Sequence, residues 1–356
     1  MRHFLLSFIM FFVFVSCSRS GDEVPNVKPA NLLELKGADV SFLPELRESG
    51  INLQNSNNQN QDVLGILKSS GVNTVRLRLW HTPETPTSSL GTVKSISQEA
   101  RALGLKIFIT VHYSDTWADP GAQKKPTAWE NLTFSELKNE LYQYTKAVMQ
   151  EINPDYIQIG NEINSGFLFP EGYSSNASQF TELLKEGVRA VRETNPETGI
   201  ALHYAGFEGA NPFFTSLSNI DYDIIGISYY PIWHGKNLNE LEESLNLLSN
   251  TQNKKILIAE TAYPFTLEWN DSTNNIIGLN SQISPEFSAS PAGQRDFVNK
   301  IKNIISETPK GMGFCYRGGE WVSYEGKSAT DGSYWENQAF WDFQNKPLPV
   351  LETFRN

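Results

Sequence analysis

Eight short apolar runs, separated by segments of helix length, recur along almost the whole chain. This alternation restricts the fold more than any other feature. The runs are Leu35–Val40, Thr74–Leu79, Lys106–Val111, Tyr156–Ile159, Gly199–His203, Asp223–Ser228, Lys255–Ala259 and Gly313–Tyr316. Between them lie amphipathic stretches at Asp62–Ser70, Val93–Leu103, Phe134–Glu151, Ala177–Glu193, Leu238–Asn250 and Ala292–Glu307. A few apolar or small residues in succession suit a parallel strand covered on both faces. Gly71 and Gly104 stand where helices end, and Ser290-Pro291 supplies an N-cap and a first turn. The pattern predicts an α/β fold, a (β/α)8 TIM barrel forming a single domain over residues 31–356. A doubly wound open sheet would also alternate, but no glycine-rich phosphate loop follows the first run.

In such a barrel the chemistry sits at the carboxyl ends of the strands. Those ends carry Asp39, Arg76 and Arg78, His112, Asn161 with Glu162, His203, Tyr229, Glu260, and Tyr316 with Arg317. A polar or titratable group at every end is the second constraint. Glu162 and Glu260 each close an apolar run, and a buried carboxylate there is costly unless paired or solvated. Two of them fit the acid/base and nucleophile of a retaining glycosidase, with Glu162 as acid/base and Glu260 as nucleophile. The plainer reading is a strand-end ion pair for each. Asn161 is expected to donate its amide to a sugar 2-hydroxyl, or else to cap a loop. Arg76 and Arg78 alternate with apolar residues, so both face the lumen and need partners, Glu260 or Asp39. Tyr229 is expected to donate its hydroxyl to Glu260, packing being the alternative. His112 and His203 are expected to orient the sugar or the carboxylates. The histidines show no zinc-type spacing.

Aromatics make up 12% of the chain, with eight Trp. Trp80, the loop His112–Trp129 with Trp117 and Asp119, and Trp233, Trp321 and Trp335 would place stacking faces along a long saccharide groove. The net charge of −11 has the wrong sign for phosphate binding, so nucleic acid is not an expected partner, and a monomer is expected. Residues 1–16 read as a signal peptide, with Arg2 and His3 before an apolar run too short to span a bilayer. Phe14-Val15-Ser16-Cys17 resembles a bacterial lipobox, which makes Cys17 the lipidated N-terminus and residues 17–30 a flexible tether. A plain secretory peptide is the alternative. Lipidation implies a cell-envelope location on the outer membrane, with membrane contact only through the anchor. Cys315 is expected to be a buried thiol without a disulfide partner.

Taken together these segments resemble the family 53 glycoside hydrolases, the endo-β-1,4-galactanases, within a clan of retaining barrel enzymes. The marks are Gly37-Ala38-Asp39-Val40-Ser41, Val75-Arg76-Leu77-Arg78-Leu79-Trp80 and His112-Tyr113-Ser114-Asp115-Thr116-Trp117-Ala118-Asp119-Pro120, followed by Gln158-Ile159-Gly160-Asn161-Glu162-Ile163, Ser228-Tyr229-Tyr230-Pro231-Ile232-Trp233-His234 and Glu260-Thr261-Ala262-Tyr263. The resemblance implies Glu162 as acid/base, Glu260 as nucleophile, and β-1,4-galactan or type I arabinogalactan as substrate. It departs at the eighth strand, where the family's Tyr-Trp-Glu-Pro-Ala-Trp is Tyr316-Arg317-Gly318-Gly319-Glu320-Trp321, so Arg317 stands in place of a Trp. It also implies a structural calcium held by Asp271, Thr273, Asn275, Ser328 and Asp331, although Trp269 stands where an Asp is usual and Thr273 replaces a His. The alternatives are another endo-glycanase of the clan, a mannanase or xylanase, and a lipoprotein that captures galactan without cleaving it.

Overall fold

The computed structural model describes residues 32–355. The signal peptide, Cys17 and the tether lie outside them. Eight parallel strands close into one barrel in sequential order: β1 Leu35–Asp39, β2 Thr74–Leu79, β3 Lys106–Val111, β4 Tyr156–Ile159, β5 Gly199–Ala205, β6 Ile224–Ser228, β7 Lys255–Thr261 and β8 Gly311–Tyr316. The helices are α1 Leu43–Glu48, α2 Val63–Ser70, α3 Leu90–Ala102, α4 Phe134–Ile152, α5 Ala177–Thr194, α6 Ala210–Ser216, α7 Pro231–His234, α8 Leu238–Gln252 and α9 Pro291–Glu307. The barrel and the six long helices stand where the sequence pattern puts them. The short α1, α6 and α7 give no hydrophobic period for a sequence reading to detect.

Local chemistry fixes the helix ends. Thr133 and Glu136 form a reciprocal capping box at the start of α4, an arrangement worth about 1 kcal/mol at such positions. Ser290 caps α9 with Pro291 in its first turn. Gly71 ends α2 at φ 100°, a backbone state that needs no Cβ, with the Phe354 carbonyl packed against it.

Apolar residues divide into two clusters. The larger lies between strands and helices. The smaller, Leu35, Phe108, Tyr156, Ala201, Ile224, Leu257, Ala259, Met312 and Cys315, plugs the lumen below the site, and Cys315 is a free, buried thiol as expected. The barrel is irregular near the carboxyl end of β7. Ile227 pairs with Ile258 but Ser228 with Glu260, and on the other side Ile258 pairs with Phe314 but Thr261 with Tyr316. Strand β7 therefore carries one residue more than either neighbour there, a β-bulge at Ala259.

Candidate active site

The strand ends open into a cleft of about 620 Å³ lined by both glutamates. A carboxylate oxygen of Glu162, one of Glu260 and a ring nitrogen of His203 all lie within 4.8 Å of one another. That spacing suits a covalent double displacement, which needs carboxyl groups about 5–5.5 Å apart, rather than the wider gap that admits a water between them. Glu162 follows β4 through Gly160 at φ 77° and itself sits at φ 47°. A left-handed backbone is uncommon for a residue with a side chain, and it costs about 1–3 kcal/mol where the surroundings enforce it.

Glu260 is buried and held on three sides. Arg76 Nη2 lies 2.7 Å from its Oε1, Arg317 Nε 3.6 Å from Oε2, and the Tyr230 hydroxyl donates to Oε2 at 2.9 Å. Burial alone would raise its pKa, but the Arg76 and Arg317 charges outweigh burial and hold it well below the usual carboxylate range. Arg76 also pairs with Asp39 at 2.7 Å, so the guanidinium bridges two carboxylates as its lumenal position requires. Removing one partner from such a buried group costs about 3–5 kcal/mol. Glu162 has the opposite setting. Burial and the Glu260 charge push its pKa up to about 8, against the Ser228 hydroxyl, which donates to its Oε1 at 2.5 Å. Two carboxyl groups whose environments drive them apart are an acid and a nucleophile.

The remaining groups frame this pair. Asn161 accepts from Arg76 and Gln158 through Oδ1 and donates from Nδ2 to the Ala118 carbonyl at 2.8 Å, which leaves one amide hydrogen for the cleft. His112 Nδ1 accepts from the Ala118 N–H, so Nε2 carries its proton, and burial with the Arg78 and Arg76 charges keeps the ring neutral. His203 is buried beneath the pair, 2.9 Å from the Ser228 hydroxyl, and burial lowers its pKa to about 3. Its partners orient Glu162 and not a sugar. Trp117, Asp119, Trp233, Arg317 and Trp321 line the cleft as expected. Glu162, His203 and Glu260 are the donor types of a metal site, but the Arg76 guanidinium already occupies Glu260 and the ring nitrogens of His203 face Ser228 and Asn161.

Two expectations are corrected. Tyr229 does not reach Glu260; its hydroxyl donates to the Gly235 carbonyl and its ring stacks on Phe297 of α9. Ser228 points into the lumen, so alternation sends Tyr229 to the helix layer and Tyr230 back to the nucleophile. Trp80 is not part of the cleft lining; it lies under Arg78, 4.3 Å from the guanidinium carbon, and edge-on to Trp117. Sequence reasoning missed Tyr230 and Ser228, which parity along β6 brings to the lumen together once Ser228 is seen to meet Glu162. Phe42, stacked on Trp321 at 3.7 Å, gave no sequence signal.

The five residues expected around calcium divide. The Asp271 carboxylate accepts from the Thr273 N–H and the Ser323 hydroxyl, and Thr273 Oγ1 donates to the Ala329 carbonyl. Asn275 meets Glu336. Ser328 is exposed, and Asp331 stands on the rim of the catalytic cleft. Two buried oxygens beside this loop crossing, Glu336 Oε2 and Asn275 Oδ1, have no hydrogen-bond partner.

The sequence model of Glycosyl hydrolase family 53 matches residues 35–354. The chain is 34% identical to an endo-beta-1,4-galactanase of Bacillus subtilis (strain 168), covering 93% of this chain and 88% of that one. It is 35% identical to an arabinogalactan endo-beta-1,4-galactanase of Cellvibrio japonicus (strain Ueda107), covering 90% of each. Among solved structures, the GH53 catalytic domain of Ignisphaera aggregans superposes with a TM-score of 0.86 at 36% identity, covering 90% of this chain and 95% of that one. A xylanase of Penicillium canescens, at 12% identity and a TM-score of 0.57, shares the barrel alone.

Proposed function

The chain belongs to glycosyl hydrolase family 53, and from that premise we infer that it hydrolyses internal β-1,4-galactosidic bonds of galactan and type I arabinogalactan with retention of configuration. The observation that carries the reading is the close pair of strand-end carboxyl groups in opposite electrostatic settings. Glu260, ionised against Arg76, attacks the anomeric carbon while Glu162 gives its proton to the departing glycosidic oxygen. The anomeric C–O bond to the leaving sugar breaks as the bond to Glu260 forms. Glu162, now a base, takes a proton from water, whose oxygen displaces Glu260. Asn161 directs its remaining amide hydrogen at the 2-hydroxyl, a bond that strengthens as the transition state develops. Ser228, turned by His203, keeps Glu162 in one rotamer through both steps.

Chromatography of products from debranched galactan tests the activity, and a mixture of galacto-oligosaccharides is expected. Proton NMR of the first product should show the β-anomer; an initial α-anomer would reject double displacement. Substrate bound without product release would instead favour the capture reading, which the intact carboxyl pair opposes.

Calcium at the loop crossing is part of the proposal. Asp271, Glu336 and Asn275 would hold it, and its charge would occupy the two unpartnered oxygens. Burial already raises the pKa of Glu336. An ion bound only to the native state stabilises it, so the melting temperature should fall in chelator and recover with calcium. An unchanged melting temperature together with no metal by elemental analysis would remove the ion. The anchor at Cys17 would tie the barrel to the bacterial envelope, which the mass of the mature N-terminal peptide decides.

A further inference from the structure

Three arginines reach the cleft, and among the described residues only Arg76 has carboxylates at hydrogen-bond distance, Asp39 and Glu260. Arg78 is buried, with no carboxylate within salt-bridge distance among the described residues. Among the described residues its one hydrogen-bonded side-chain atom is Nε, which donates to Ser88 Oγ at 2.9 Å, and Nη1 has no partner. Its guanidinium carbon is 4.1 Å from the Trp117 ring and 4.8 Å from that of Phe42. Arg317 lies against the same Trp117 ring at 5.2 Å and against Trp335 at 4.6 Å. Among the described residues its one ionic contact, Nε to Glu260 at 3.6 Å, is longer than a hydrogen bond. Both side chains line the cleft.

Aromatic faces compensate a cation in part, but they accept no N–H···O bond, and two like charges share one wall. Sugar hydroxyls could take single hydrogen bonds from either arginine but would bring no negative charge to Arg78, and none to Arg317 beyond its long contact with Glu260. A carboxylate offers two oxygens and about four lone-pair sites, enough for both guanidiniums, through bonds roughly twice as strong as neutral ones. Of the other carboxylates lining the cleft, Asp39, Glu162, Asp119 and Asp331 form no ion pair with either arginine among the described residues; Asp39 acts on both only through space, and Asp119 Oδ1 is taken by the Gly121 N–H.

We propose that the cleft is built for a galactan chain bearing a carboxylate, a uronosyl unit seated against Trp117 between Arg78 and Arg317. The proposal rests on the galactanase reading and adds a substituent to its substrate. Oxidation of C6 in one galactosyl unit is the smallest change that supplies the group.

The test compares three forms of one galactan preparation: unmodified, partly oxidised at C6 to the free acid, and the methyl ester of that acid. Ester and acid differ in charge and hardly in shape, so the comparison needs no variant. At low ionic strength the free acid should have a kcat/KM roughly tenfold or more above the ester, as charge-assisted bonding to two arginines predicts. Added salt should shrink the difference. Released products should carry the uronosyl unit at one fixed distance from the new chain end. In Arg317→Gln the acid-to-ester ratio should fall to about twofold or less, whatever happens to the rate on unmodified galactan. Equal cleavage of acid and ester by the native protein would overturn the proposal, as would a preference that survives in Arg317→Gln. If unmodified galactan is not cut at all, the galactanase reading fails instead. Calorimetric binding of the acid and ester chains would then still decide the carboxylate site.

Discussion

Glu260→Gln should retain its fold and its affinity for galactan while turnover falls by about 10⁴-fold or more, the scale on which loss of a nucleophile is felt. The amide oxygen can still accept from Arg76, and Arg76 keeps Asp39 and Asn161. The loss in stability is therefore expected at about 1–3 kcal/mol, below the cost of leaving a guanidinium alone. The substitution has a second consequence with a definite sign. Burial and then the Glu260 charge raise the pKa of Glu162; with the charge gone, Glu162 should titrate lower than in the native protein. In the native protein kcat/KM should fall on the alkaline side as Glu162 loses its proton near pH 8, and on the acid side only at low pH, where Glu260 becomes protonated. Activity within tenfold of the native protein would end the assignment of Glu260 as nucleophile.

Glu162→Ala removes the proton donor and the base but leaves the nucleophile charged against Arg76. On galactan both steps should slow, together by about 10²–10⁴-fold. An aryl galactoside with a good leaving group needs no protonation, so its first step should proceed and the covalent intermediate should accumulate. Azide requires no general base and fits where the carboxylate stood. It should speed turnover of the aryl substrate and yield the β-galactosyl azide, the product of attack on the face opposite Glu260. Absence of both rescue and azide adduct would argue that Glu162 is not the acid/base.

Strands were the most legible part of this chain. Parallel strands inside a helix layer are apolar on both faces, and β2, β3 and β4 begin and end where their apolar runs do. The extensions of β5 to Ala205 and β7 to Thr261 were not legible, since Tyr204, Glu260 and Thr261 belong to the ladder while carrying polar groups. The catalytic pair was visible because a glutamate after a buried run has few other reasons to be there. Its supporting groups were less so. Assigning the Tyr229 hydroxyl to Glu260 failed for want of one parity step, which Ser228 supplies once its partner Glu162 is known. The assignment of Trp80 failed because a Trp beside the cleft can serve as the floor under a guanidinium as readily as a platform for a sugar.

The bulge at Ala259 bears on how such an enzyme can change over time. Both Ala259 and Glu260 face the lumen, Ala259 against the position of Gly226 and Glu260 against Arg76. Strict alternation from Leu257 would have sent Glu260 toward the helices. Replacing Ala259 with another small residue preserves the number of residues and hence the placement of the carboxylate. Losing it would restore a regular ladder with Glu260 still inside and opposite Ser228, but would remove the local bend and added twist by which the bulge aims the carboxylate. Gaining a residue would change the phase again. Reaction geometry tolerates errors of about 1 Å at most without large loss of rate. Heredity at this strand is therefore arithmetic before it is chemical: lineages are free to exchange the residues around the nucleophile, but not to miscount them.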